Sequence, residues 1–430
     1  MNICIIGTGY VGLPTGVGFA ELGNKVTCVD LIEEKIAALK AGRITLFEDG
    51  LEELFRKNAE NGSLRFTTRL GEGVSNAEIV IIAVGTPPHP ETKEADMRYI
   101  SAAAAQVAEH LSGYTVVAIK STVPIGAGDD AEQLIREKNP AADFDLISMP
   151  EFLREGFAVH DFFNPDRVVI GANNGRARKI VDALYDTYKQ KPQILYTSRR
   201  SAELIKYASN AFLAVKIHYI NEIANLCEKV GANVYEVARG MGLDSRIGAK
   251  FLSPGPGYGG SCFPKDTNAL AFIAKQANVD LSIAQAAIKG NGERKIEMAN
   301  RITAALKGVK DPVVAVLGLA FKGGTDDVRE SPAIEIVSEL LKRGLRIRAH
   351  DPEAINSAKA VLGDRIEYAQ DAYGAAKEAD LLAVLTEWEE FKSISLKELR
   401  MRTKIIVDLR KVFDKQIAIA DGFTYIGIGE

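Results

Sequence analysis

The stretch Gly257-Tyr258-Gly259-Gly260-Ser261-Cys262-Phe263-Pro264-Lys265-Asp266 gathers a thiol, an ammonium, a carboxylate and three glycines within ten residues. The glycines let the backbone take positive φ and approach a ligand closely. Pro264 suits the first turn of a helix, so a helix is predicted to start there with Cys262 just before it. A helix N-terminus is electropositive and favours a thiolate over a thiol. Cys262 is therefore a candidate nucleophile, with Lys265 and Asp266 beside it. The alternative is a glycine-rich turn around a buried, inert cysteine. Cys4 and Cys28 lie in apolar strand runs and Cys227 on a helix, so these three read as core. No Cys-x-x-Cys pair occurs, no histidine has zinc-ligand spacing, and His89, His110, His160, His218 and His350 are scattered. Neither a metal site nor a Ser-His-Asp triad is expected.

A second constellation opens the chain. Asn2–Ile6 reads as a buried parallel strand. Gly7-Thr8-Gly9-Tyr10-Val11-Gly12 then leads into a small-residue helix running to about Leu22, and Lys25–Val29 forms a second strand closed by Asp30. In a dinucleotide site the first glycine allows the tight turn. The second lets the backbone approach a pyrophosphate, and the third lets helix and strand pack. The pyrophosphate sits on the helix N-terminus, and an acid about twenty residues on bonds the ribose hydroxyls. Gly7, Gly9, Tyr10, Val11, Gly12 and Asp30 are thus cofactor candidates. The Asp30 carboxylate would repel a 2′-phosphate, which favours NAD over NADP. Its alternative is a solvated strand end. Lys35 either reaches the adenosine side or is a solvated helix lysine.

These residues need a scaffold, and the chain supplies one. At about 150 residues per domain, 430 residues make two or three domains. Hydrophobic content of 47% and charged content of 26% are those of a globular protein, and a net charge of −4 lacks the basic footprint of a nucleic-acid binder. No apolar run approaches the ~20 residues that cross a bilayer. Met1–Ile6 has no basic start, so no leader is expected and the cytoplasm is the default compartment. Glu78–Val84 is read as a third core strand, ending in Gly85-Thr86-Pro87-Pro88. Thr115–Ile119 ends in Lys120-Ser121-Thr122-Val123-Pro124, and Asp143–Ser148 ends in Met149-Pro150-Glu151. Such strand ends are where open α/β sheets bind ligands, so Thr86 is either a cofactor contact or a loop cap. Asp166–Gly171 and Gln193–Thr197 are late strands, and the alternation implies a doubly wound parallel sheet.

From Ser201, a predicted N-cap, to about Val230 no proline or glycine occurs, and Gly231 is placed to end the helix. Such a helix either joins two domains or forms a dimer seam. Lys206 and Asn210 share one face near its start. Helices continue to about Ala305. Beyond Asp311-Pro312, Val313–Gly318, Arg346–His350, Leu381–Leu385 and Lys404–Leu409 repeat the strand–helix order without the glycine signature. They read as a second α/β domain for a different ligand.

Taken together, Gly7–Gly12, Gly85-Thr86-Pro87, Ser121–Pro124, Pro150–Gly156, Glu203–Lys206 with Asn210, Gly259–Asp266 and Phe321–Thr325 resemble the UDP-glucose/GDP-mannose dehydrogenases over essentially the whole length. The resemblance implies an α/β fold in three parts. These are a Rossmann NAD domain over 1–198, a helical domain with a long dimer helix over 199–308, and a Rossmann-like nucleotide-sugar domain over 309–430. It implies a four-electron oxidation of a sugar's primary alcohol with two NAD, through a Cys262 thiohemiacetal and thioester. In that scheme Lys206 stabilises oxyanion charge, Asp266 is an acid/base candidate, and Glu151 serves thioester hydrolysis. Thr122 and Asn210 position water and oxyanion. Asp30, Lys35, Thr86, Thr122, Glu155, Lys265 and Arg329 resemble cofactor contacts. Glu151, Phe152, Leu153, Lys206, Asn210, Phe251, Leu252, Ser253, Pro254, Gly255, Gly259, Phe321 and Lys322 resemble substrate contacts, with Arg410 a weaker candidate. Arg246 is expected to cross to a partner's site in a homodimer. Ser261 before Cys262 resembles the branch acting on UDP-glucose, giving UDP-glucuronate. GDP-mannose and UDP-N-acetyl hexosamines are the alternative substrates. Outside the family, a two-electron hydroxy-acid dehydrogenase and a non-catalytic nucleotide-sugar sensor remain open. Neither nucleic acid nor membrane is expected as a partner.

Overall fold

The computed structural model describes residues 1–44, 46–87 and 95–430; Pro88 and His89, named above, lie outside the described residues. The chain folds as two compact units, Met1–Ser209 and Asn210–Glu430.

The first unit is built on β1 (Asn2–Ile6), β2 (Lys25–Val29), β3 (Leu64–Thr67), β4 (Ile79–Ile82), β5 (Thr115–Ile119), β6 (Phe144–Ser148), β7 (Val168–Gly171) and β8 (Ile194–Thr197). They lie in the order β3-β2-β1-β4-β5-β6-β7-β8. Side chains alternate across a strand, so one apolar run feeds two cores. Ile3, Ile5, Ile79 and Ile81 enter one core, while Cys4, Ile6, Val80 and Ile82 enter the other. Covering both faces with helices is what a parallel sheet requires. The order reverses between β1 and β4, a crevice at the strands' carboxyl ends where ligands bind.

Three details depart from the sequence reading. β3 intervenes before the strand read as third. Its four residues Leu64-Arg65-Phe66-Thr67 include an exposed arginine and are too short for periodicity to reveal. The sheet is not wholly parallel, because β6 meets β7 antiparallel through Ser148 and Gly171. The long helix spans Arg199–Val230, not Ser201 onward, and the Ser198 hydroxyl accepts the Ser201 N–H at 3.2 Å. Ser198 therefore caps it, and Ser201 lies in the first turn. At 32 residues this helix is about 48 Å long. It ends where Gly231 turns to φ +73°.

The second unit holds the rest of that helix and the helices Val234–Gly242, Phe263–Gln276 and Ser282–Ala305. Its sheet comprises β9 (Val313–Leu317), β10 (Arg346–His350), β11 (Glu367–Tyr368), β12 (Leu381–Val384), β13 (Ile405–Asp408) and β14 (Thr424–Ile426). They lie in the order β11-β10-β9-β12-β13-β14, parallel at every pairing. The reversal between β9 and β12 repeats the topology of the first unit. The short edge strands β11 and β14 were not legible in the sequence. Among the described residues no helix is long and apolar enough to cross a membrane.

Candidate functional site

The glycine turn after β1 is shaped by its neighbours. Gly7 sits at φ +103°, and a Cβ there would lie 2.5 Å from the Ala83 carbonyl oxygen. A Cβ at Gly12 would lie 2.0 Å from the Gly7 oxygen. Gly9 differs: a Cβ there would meet no protein atom within 4 Å. The open space lies before the helix Gly12–Glu21, whose Val11 cap offers its N–H groups no side-chain acceptor. That is a cradle for an anionic group. At the end of β2, Asp30 Oδ2 accepts from the Thr8 N–H at 3.0 Å and the Thr8 hydroxyl at 2.7 Å. Burial raises the Asp30 carboxyl, but the Thr8 and Ile32 hydrogen bonds and the Lys35 charge outweigh it and hold it below its ordinary value. Lys35 Nζ stands 3.7 Å from Asp30 Oδ2. These residues fit NAD. The glycine turn and helix start would hold the pyrophosphate, and Asp30 a ribose. Tyr10 and Val11 are half-buried beside them.

Further along the same sheet edge, the Thr86 hydroxyl donates to the Thr122 carbonyl at 2.8 Å, tying the loops after β4 and β5 together. Glu151 follows β6 and is buried, as is Lys206; Lys206 Nζ donates to Glu151 Oε1 at 2.8 Å. Burial alone would raise the Glu151 carboxyl. The Lys206 charge and hydrogen bond, the Lys120 charge and the Leu153 N–H together hold it below the carboxylate range. Lys206 Nζ also stands 5.4 Å from the Phe152 ring centre, and the Arg167 guanidinium 3.6 Å from it. Glu203 fixes the helix one turn before Lys206. It accepts the Gly126 N–H at 2.7 Å, the Gly128 N–H at 3.0 Å and the Ser148 hydroxyl at 3.0 Å.

In the second unit Cys262 is the N-cap of the helix Phe263–Gln276, with Pro264 in its first turn, as the sequence predicts. Cys262 is half-buried, and its Sγ lies 3.5 Å from the Ser261 hydroxyl. By contrast burial pushes the Cys4 thiol up to about 12 and the Cys28 thiol higher still, so both are inert core thiols. Asp266 has no exposed surface. Its two oxygens accept from Asn210 Nδ2 at 2.6 Å and Lys265 Nζ at 2.5 Å.

The loop before Cys262 is held from both sides. Asn221 Oδ1 accepts the Gly255 N–H, Arg294 donates to the Gly255 carbonyl, and Asn291 pairs with both the N–H and the carbonyl of Tyr258. Gly259 abuts the Glu330 carbonyl, where a Cβ would lie 2.3 Å away. Phe251 takes φ +66°, Leu252 and Pro254 are buried, and Ser253 is exposed. The Arg329 carbonyl accepts the Gly260 N–H, while its guanidinium pairs with Asp327. Lys322 Nζ stands 5.5 Å from the Phe321 ring centre, and Arg410 donates to the Phe321 carbonyl. Arg246 is 87% exposed and pairs with Asp244. Glu155 is half-buried in the first unit.

Sequence reasoning quoted Glu203 within a motif without giving it a role, and passed over Lys120, Asn221, Asn291 and Arg294. A lysine directly ending the apolar run of β5 was a signal for Lys120. Asn291 and Arg294 act on a loop more than thirty residues away and left no local signal. Among the described residues no group of three or more His, Cys, Asp or Glu side chains gathers as a metal centre.

The two sheets and the dinucleotide cradle define the class, an α/β protein with a site that fits NAD. Models of the UDP-glucose/GDP-mannose dehydrogenase family match the NAD-binding domain at 1–189, the central domain at 200–293 and the UDP-binding domain at 315–415. The chain belongs to the UDP-glucose/GDP-mannose dehydrogenase family. It is 49% identical to the UDP-glucose 6-dehydrogenase of Rhizobium meliloti, covering 100% of this chain and 99% of that one. It is 44% identical to the UDP-glucose 6-dehydrogenase TuaD of Bacillus subtilis, covering 100% and 93%. Among solved structures it is similar to a UDP-glucose dehydrogenase of the archaeon Pyrobaculum islandicum. That match has a TM-score of 0.92 at 38% identity, with 99% and 96% of the two chains covered.

Proposed function

We infer that this chain is a UDP-glucose 6-dehydrogenase, oxidising UDP-glucose to UDP-glucuronate with two NAD per sugar. The observation that carries the reading is Cys262 capping a helix N-terminus one turn from the buried Asp266, in a chain whose full-length relatives are named for this reaction.

Bound NAD supplies the hydride acceptor. The first oxidation turns the primary alcohol into an aldehyde, which would escape if left free. Attack by the Cys262 thiolate makes a thiohemiacetal and keeps the carbon in place for the second hydride transfer. The resulting thioester is then hydrolysed, which returns the thiol. In this reading Lys206 faces the developing oxyanion, where a fixed charge contributes most. Asp266 exchanges the alcohol proton, and Glu151 prepares the hydrolytic water with Thr122 and Asn210. Phe251–Gly255 takes the uridine and Lys322 the diphosphate. Tyr10, Thr86, Glu155, Lys265 and Arg329 contact NAD.

The family-model limits support dividing the work among residues 1–198, 199–308 and 309–430. The length of the helix Arg199–Val230 and the exposure of Arg246 support a homodimer in which Arg246 serves the partner's site. The reading puts the enzyme in the cytoplasm.

The test is NADH formation across UDP-glucose, GDP-mannose and UDP-N-acetyl sugars. Two NADH per UDP-glucose, with that sugar preferred, is the expected result. One NADH per sugar, or preference for another sugar, overturns it. Cys262→Ser should bind both ligands and stall; near-normal turnover removes Cys262 from the chemistry.

A further inference from the structure

We infer that Arg167 is a positioning residue of this site: its guanidinium, laid against the Phe152 ring, sets where that ring lies and through it where the Lys206 ammonium points. The inference rests on the role given to Lys206 above and adds a residue to it. The antiparallel step in the first sheet makes the contact. β6 and β7 meet with Ser148 opposite Gly171. In an antiparallel pair one chain advances as the other retreats. Counted outward from that pair, Phe152, beyond the end of β6, comes opposite Arg167, just before the start of β7. Had β7 run parallel to β6, Arg167 would lie at the opposite edge of the sheet, away from Glu151 and Lys206.

The side chains meet where this register puts them. The Arg167 guanidinium carbon lies 3.6 Å from the Phe152 ring centre, and both residues are half-buried. A planar guanidinium on an aromatic face combines stacking with cation–π attraction, which the compact ammonium of a lysine does not reproduce. Lys206 Nζ is a second cation on the same ring, 5.4 Å from its centre, and it donates to Glu151 Oε1 at 2.8 Å. Residues 149–154 are neither helix nor strand, so no ladder of backbone hydrogen bonds fixes the ring. Its place depends on side-chain contacts, and Arg167 supplies the shortest recorded for it. Glu151 and Phe152 are neighbours in sequence, so a ring that swings away moves the surface on which Lys206 rests beside the carboxylate.

Lysine labelled with 13C at Cε reports where Lys206 lies, because the Phe152 ring current displaces its resonance. Lys206→Met assigns the signal, and Phe152→Leu removes the displacement. Arg167→Met should move the resonance at least about halfway to its Phe152→Leu position and lower kcat by about fivefold or more, with KM for NAD within about twofold. In a Phe152→Leu background the same substitution should change kcat by less than about twofold, because the route through the ring is already gone. Phe152→Tyr keeps the ring and should keep the full effect. Arg176→Met is the control for a merely structural role. Arg176 stands 3.3 Å from the ring centre of Tyr114, which precedes β5 at the other edge of the sheet. Its loss should leave the Lys206 resonance and kcat in place. Should Arg167→Met not fold, Arg167→Gln makes the same comparison. An unmoved resonance, wild-type kcat in Arg167→Met, kcat losses that add in the double variant, or the same shift in Arg176→Met overturns the inference. If the wild-type enzyme forms no NADH, the proposed function falls, and the resonance alone decides the Arg167 assignment.

Discussion

Asn210 Nδ2 donates to Asp266 Oδ2 at 2.6 Å, joining the long helix to the cysteine helix at a carboxylate shielded from all solvent. Asn210→Ala leaves that oxygen buried without its donor, which costs about 1–3 kcal/mol. For a unit of this size each kcal/mol moves Tm by about 2–4 °C. Calorimetry should show Tm lowered by several degrees, with kcat reduced because Asp266 loses its fixed orientation. An unchanged Tm would mean that the bond contributes nothing to the fold.

Legibility in the sequence followed the range of the interaction. The cradle is local: strand, three glycines, helix and acid fall within thirty residues, and β1, β2 and the helix between them were readable with Asp30 in its place. Cys262 was readable for the same reason, since Pro264 announces the helix that it caps. The Lys206–Glu151 pair bridges 55 residues and the Asn210–Asp266 bond 56. Each partner stood out by type, but their pairing was not visible. Asn291 and Arg294 left no mark at all, because a polar residue in a helix is ordinarily solvated and only the fold reveals that these two are buried against a loop. The antiparallel β6–β7 step was hidden because a four-residue apolar strand looks the same in either direction.

The Lys206–Glu151 pair predicts acid behaviour. The folded pKa of Glu151 lies below the ordinary 4.5, so its contribution to stability is complete above that value and is lost as pH falls through the lowered one. Lys206→Met removes the charge and the hydrogen bond, and burial then drives the carboxyl upward. Burial is the largest influence on Glu151, and with only the Lys120 charge and the Leu153 N–H left against it, ionised Glu151 is expected to destabilise the fold at neutral pH. Breaking a buried pair from one side costs about 3–5 kcal/mol. Thermal melts from about pH 8 down to 3 should show the Glu151 contribution level down to 4.5 in the wild type and lost below it. Lys206→Met should be less stable at neutral pH and recover part of the loss as Glu151 takes a proton. Parallel profiles would contradict the pairing.

Asp30 predicts cofactor choice. Its carboxylate is held ionised by Thr8 and Ile32 beside the glycine turn, where the proposed function puts a ribose. Replacing it with serine removes the charge that repels a 2′-phosphate while keeping a small hydrogen-bonding group. The NAD/NADP ratio of kcat/KM should fall by about tenfold or more in Asp30→Ser. A ratio unchanged from wild type would place cofactor choice elsewhere.

Gly9 and Gly12 offer a paired test of the cradle, because the same methyl group does different things at the two positions. At Gly12 a Cβ would lie 2.0 Å from the Gly7 carbonyl oxygen, which is backbone and cannot yield without moving β1 or the helix start. Gly12→Ala should therefore lower Tm sharply and reduce the soluble yield. At Gly9 no protein atom lies within 4 Å, and the backbone is outside the positive-φ region that favours glycine. Gly9→Ala should melt like the wild type, since alanine also narrows the unfolded ensemble. Its methyl group would instead occupy the space read as the pyrophosphate site. Titration with NAD, followed by calorimetry, should show weaker binding in Gly9→Ala at unchanged stability. Wild-type NAD affinity in that variant would mean that the open space before the helix is not where the cofactor's phosphates bind.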